Sequence, residues 1–197
     1  MIQTKKALAF AAAFTTALAG TAIALDQDVE ADAEFRAAIT MTVNSDIDFT
    51  TGSGVIEYGS PTGSDLVTLA TDGDITVTGS EFTAPATGQV GDVTFAGDGA
   101  SSVDITCTAT ATLAETGTGT TVTMQNIEFA VDTGVATGLA NACAGLGAGA
   151  VSHTLDGTDA LLIGGELVGA ATITDAVYST TNTGDGGVPA TFRVVYN

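Results

Sequence analysis

Positive charge almost stops at residue 6. Lysine occurs only at Lys5 and Lys6, and downstream of them only Arg36 and Arg193 are basic. The whole chain carries a net charge of −19; without residues 1–24, two arginines face 23 carboxylates, a net −21. Nucleic-acid affinity rests on Lys and Arg neutralising phosphates, so this composition excludes such a partner and disfavours an anionic lipid surface. Surface fibres joined through isopeptide bonds or by sortases need a lysine amine, which the chain lacks beyond residue 6. A hydrolytic triad needs a histidine, and the single one, His153, alternates with Val151 and Leu155 as an ordinary strand residue would. G-x-S-x-G, P-loop, dinucleotide and Cys-x-x-Cys motifs are all missing. Tryptophan is absent and aromatics make up 6%, which argues against a sugar-stacking platform. The expectation is a protein that is not an enzyme and needs no cofactor.

Cysteine is nearly absent too. Cys107 and Cys143 are an even pair, most simply one disulfide in an oxidising compartment. Two buried thiols, or a metal site completed by His153, are the alternatives. Carboxylates cluster at Asp72-Gly73-Asp74, Asp98-Gly99 and Asp185-Gly186. None has EF-hand spacing, and Asp-Gly is first of all turn chemistry, so no metal ligand is assigned.

What the chain does contain is alternation. Lys5 and Lys6, a short apolar run and Ala22-Ile23-Ala24 read as a signal peptide over residues 1–24. From Leu25 onward, LDQDVEADAEFRAAITMTV places apolar residues at nearly every odd position through Val43. At about 3.3 Å per residue this would make a strand of roughly 60 Å, three times the usual length. It divides by side-chain size. Residues 25–34 are an acidic leader with mostly small partners, whereas residues 35–43 carry Phe35, Ala37, Ile39, Met41 and Val43. An acidic start of this kind excludes a type IV-like pilin, which keeps a long apolar N-terminal helix. With 45% hydrophobic and 14% charged residues, the remainder can bury a core.

Residues 44–197 repeat short Thr/Val/Ile runs between Gly, Asp and Asn turns. A hairpin is expected across Thr71-Asp72-Gly73-Asp74. One long interior strand is expected over residues 102–113. Its hairpin partner is residues 121–131, with a bulge near Gln125-Asn126 where the apolar parity changes. Further strands are expected at 151–155, 161–168, 171–178 and 190–196. Eight to ten such strands without a linker predict a single all-β sandwich.

The two ends carry a resemblance. Tyr196 is penultimate and Gly184 is fourteenth from the carboxyl end, which resembles the C-terminal signature of Gram-negative chaperone–usher pilus subunits. Ile47-Asp48-Phe49, Ile163-Gly164-Gly165-Glu166-Leu167 and Tyr178 resemble elements of a secreted bacterial, pilin-like family of unknown function. The resemblance implies an incomplete immunoglobulin-like sandwich, completed by a donor strand from a neighbouring subunit. Residues 35–43 would be that strand, added by backbone hydrogen bonds with alternate side chains in pockets. It further implies a homopolymeric extracellular filament, exported through the periplasm with a chaperone and an outer-membrane usher, the mature chain not inserting in the membrane. A monomeric secreted adhesin or glycan-binding module, and a calcium-dependent surface-layer or matrix protein, are the competing expectations.

Overall fold

The computed structural model describes residues 36–197 except 51–53, 135–137 and 158. The expected signal peptide, the acidic leader and Phe35 lie outside the described residues.

The period-two runs become fourteen strands: β1 (Thr40–Ser45), β2 (Glu57–Tyr58), β3 (Leu66–Leu69), β4 (Ile75–Thr78), β5 (Phe82–Thr83), β6 (Gly91–Ala96), β7 (Ser102–Cys107), β8 (Ala111–Glu115), β9 (Thr121–Asp132), β10 (Asn141–Ala142), β11 (Val151–Thr154), β12 (Asp159–Val168), β13 (Tyr178–Ser179) and β14 (Phe192–Tyr196). Every pairing is antiparallel. The main path of the larger sheet runs β1-β6-β12-β9-β8-β13, with β3 and β4 branching from β12 and β10 lying on β9. A second sheet, β11-β7-β14, and a two-stranded ribbon, β2-β5, complete the set. The only helical element among the described residues is one 3-10 turn, Thr183–Asp185. The protein is thus an all-β, sandwich-like fold, and no described helix is long and apolar enough to cross a membrane.

One hydrophobic core joins the two main sheets. Val103, Ile105 and Val194 of the three-stranded sheet cluster with Phe95, Met124, Phe129, Leu161 and Ile163 of the larger one. Phe129 on β9 meets Phe192 on β14 edge to face at 6.1 Å, and Phe95 on β6 meets His153 on β11 in the same manner. Cys107 and Cys143 are bonded, tying β7 of one sheet to the segment that follows β10 in the other.

The hairpin across residues 71–74 forms, with Leu69 opposite Ile75 and Gly73 at φ +92°. Before it, Asp65 accepts two hydrogen bonds from Thr62, which hold its carboxyl below the usual aspartate range and fix the entry to β3. The bulge also forms. Asn126 has φ +46°, and the inward set of β9 moves from Val122 and Met124 to Ile127 and Phe129.

Two strand expectations need correction. Residues 102–113 are not one strand: the chain leaves the three-stranded sheet at Cys107 and joins the larger sheet as β8. Side-chain alternation continues through that corner, so it cannot reveal a change of sheet. Residues 171–178 likewise supply only the short β13, because Ala170 to Thr174 turn on themselves through Ile173 N–H to Ala170 O.

The Ile163-Gly164-Gly165-Glu166-Leu167 motif acquires a structural reason. Along one edge of β12, the partner changes here from β6, ending at Ile163, to β3, starting at Gly165. The backbone of Leu69 and Ala70 crosses directly over Gly164, where an added Cβ would collide with the Leu69 carbonyl oxygen. At Gly165 a Cβ would meet the Met124 methyl. Gly164→Ala is therefore expected to cost about 2–3 kcal/mol, read from the urea midpoint. Gly184→Ala, whose Cβ meets nothing within 4 Å, should stay within about 0.5 kcal/mol of the parent.

Candidate functional site

Of the segment expected to be donated, only Thr40 to Val43 lie in a strand, β1, at the margin of the larger sheet; Arg36 to Ile39 precede it without strand pairing. Among the described residues β1 pairs with β6 alone, Met41 opposite Phe95 and Val43 opposite Val93. Side chains add to its hold: Asn44 Nδ2 donates to Asp92 Oδ1 at 3.1 Å and Ser45 Oγ to the Val90 carbonyl at 3.0 Å. Its apolar residues are nonetheless largely outside the core. Ala37 is exposed, Ile39 half-buried against the core, Met41 40% exposed and Val43 63% exposed. This chain's own described residues do not bury that face.

At the other end of the sequence, β14 pairs with β7 on one side only. The Thr108 N–H donates to the Thr191 carbonyl, and the Asn197 N–H donates to the Ser102 carbonyl. These two bonds fix the phase of the antiparallel ladder, which alternates between bonded and non-bonded pairs. The bonded residues are the odd-numbered ones. The N–H and C=O groups of Phe192, Val194 and Tyr196 therefore point away from β7, with no backbone partner among the described residues. Their side chains are buried or half-buried, while Arg193 and Val195 are exposed. An open edge of this kind is a template for another strand.

The two termini meet at Tyr196. Its hydroxyl donates to the Ala37 carbonyl at 2.7 Å and accepts the Asp98 N–H at 2.6 Å. The Arg36 guanidinium lies 5.4 Å from the centre of the tyrosine ring, within cation–π range. Gly97 lets the ring in: a Cβ there would stand 2.5 Å from the hydroxyl. Gly184 belongs to a different place. Its 3-10 turn is held at the β8 end, by Asn182 to the Ala114 carbonyl and by Asp185 accepting from the Gly117 N–H. The structure does not bring the two residues of the C-terminal signature together.

The chain matches no family model, no curated protein and no solved structure. Function must be argued from geometry alone.

Two further features escape the sequence reading. His153 Nε2 lies 3.1 Å from Oδ1 of Asp159, which is wholly buried. The angle falls short of a well-formed hydrogen bond, and neither atom has another hydrogen-bond partner among the described residues. Nearby, burial and then the Asp159 charge push the Asp156 carboxyl above its usual range. The signal was present: Asp159 shares inward parity with Leu161 and Ile163, and His153 with Val151 and Leu155. The second feature is a groove of about 390 Å³ at the β2-β5 end of the larger sheet. Val67, Val122 and Leu167 are among the residues lining it, with Tyr58, Phe82 and Tyr178 around them.

The Asp-Gly tips are occupied with turn chemistry. Asp72 Oδ1 accepts the Asp74 N–H across Gly73, and Gly186 ends the 3-10 turn in the left-handed region.

Proposed function

We propose that this protein is a structural subunit of an extracellular filament, polymerised by passing residues 35–43 of one copy to the open edge of the next. The observation that carries this reading is a pair of unmatched features. β14 offers three outward N–H and C=O pairs beside an apolar inward face, and the N-terminal segment carries Met41 and Val43, which its own described residues leave exposed. Strand addition satisfies both: main-chain hydrogen bonds supply affinity and alternate side chains supply register. A head-to-tail interface propagates as a filament when its rotation does not close a ring. The disulfide fits an exported protein. A periplasmic chaperone would be needed to cover the edge before assembly, and an outer-membrane usher to order it.

Met41 makes the cleaner test because it is exposed in the unassembled chain, whereas Ile39 touches the core. Met41→Asp is expected to leave the melting temperature within about 2 °C of the parent. Filaments seen by negative-stain electron microscopy should be lost. Filaments at the parental level from Met41→Asp would refute donation of this strand.

The groove beneath Tyr58 and Tyr178 favours a second reading, a secreted binding module that holds a small ligand among aromatic side chains. In that case Met41→Asp changes nothing, and substitutions at Tyr58 or Tyr178 abolish binding.

A further inference from the structure

We infer that Tyr196, together with the Gly97-Asp98 turn, is the binding site that grips the N-terminal segment at Arg36 and Ala37. This deepens the strand-exchange reading, on which its second-copy partner rests, by naming where the donated segment is held.

The site has four parts. The Tyr196 hydroxyl uses its single proton on the Ala37 carbonyl and a lone pair on the Asp98 N–H, so its rotor is set from both sides. The ring face takes the Arg36 guanidinium. Gly97 leaves the gap in which the hydroxyl sits, bounded on its other side by Leu155. Asn197, next in sequence, is tied to Asp104 and Ser152 through its side chain and to Ser102 through its backbone, so the tyrosine is anchored immediately beyond itself. Two of the contacts, to the Ala37 carbonyl and the Arg36 guanidinium, reach across the sequence, the first over 159 positions.

The contacts also select. One is to a backbone carbonyl and would accept any residue, but the other asks for a cation. Arg36 is one of only two basic residues after Lys6. Tyr196 ends β14, the edge on which a donated segment docks, so the same site would receive Arg36 and Ala37 of a second copy.

Trypsin reads the grip directly. Downstream of Lys6 it finds only Arg36, whose following residue is held by Tyr196, and Arg193, inside β14. Arg193 reports opening of the fold itself. Tyr196→Phe keeps the ring and removes both hydrogen bonds of the hydroxyl. Cleavage after Arg36 in the unassembled chain is expected to accelerate about tenfold, with cleavage after Arg193 unchanged. Gly97→Ala, which drives the hydroxyl out of its gap, should do the same. Unchanged cleavage after Arg36 in Tyr196→Phe would overturn the inference. So would equal acceleration at both arginines, which would make the tyrosine a support for the fold. The measurement needs no filament, so it is decided separately from the Met41→Asp result.

Discussion

His153→Ala is expected to destabilise the protein by about 3–5 kcal/mol, the cost of leaving a fully buried carboxyl without its partner. Asp159 has no solvent exposure, and among the described residues its Oδ1 faces His153 Nε2 alone. Its other oxygen accepts the Asp156 N–H at a long 3.3 Å. Removing the imidazole strands an acceptor in the core beside Phe95 and Leu161. Urea denaturation of His153→Ala, Asp159→Ala and the double variant gives the coupling directly. The double variant should be more stable than the sum of the singles predicts by at least about 1 kcal/mol. A cost below about 1 kcal/mol for His153→Ala would mean that Asp159 is satisfied some other way.

Loss of the Cys107–Cys143 bond should be of similar size. The bridge spans 36 residues, for which chain entropy predicts about 3–4 kcal/mol. For a domain of this length that is a fall in melting temperature of about 10 °C. The bond acts where two sheets must stay in register. Hydrogen bonds already bracket it, from Cys143 N–H to Ile127 O and from Gly145 N–H to Cys107 O. Cys107→Ser with Cys143→Ser should therefore weaken the fold without rearranging the corner between β7 and β10. A melting temperature unmoved by reductant would contradict this.

Where neighbours in sequence are neighbours in space, the pattern of residues was enough. The Asp-Gly hairpin, the bulge at Asn126 and the turn joining β8 to β9 all follow from local chemistry: a glycine at positive φ, or a change of apolar parity. The failures share one cause. A period of two reports which side chains face inward, and says nothing about which sheet they face inward from. Residues 102–113 kept their alternation while crossing from one sheet to the other, and were misread as one strand. Gly164 and Gly165 looked like a motif to be matched. The crossing of Leu69 over Gly164 shows a close approach that only glycine admits.

The candidate site divides in the same way. Alternation alone marked residues 35–43 as strand-forming, of which Thr40 to Val43 are strand and Arg36 to Ile39 are not, and Tyr196 as the aromatic end of a closing strand. The sequence could not say that Tyr196 and Ala37 touch, because a hydrogen bond across 159 positions depends on the path of everything between them. Composition decided that the protein is acidic and able to close a disulfide, since those properties are sums over residues, and the period-two pattern decided that it is all-β. The tertiary structure alone decided that β14 keeps one edge open among the described residues, that β1 leaves Met41 and Val43 in solvent, and that a half-buried histidine meets a buried aspartate. Each of those is a fact about which strands lie side by side, and strand order is a long-range property that local pattern does not encode.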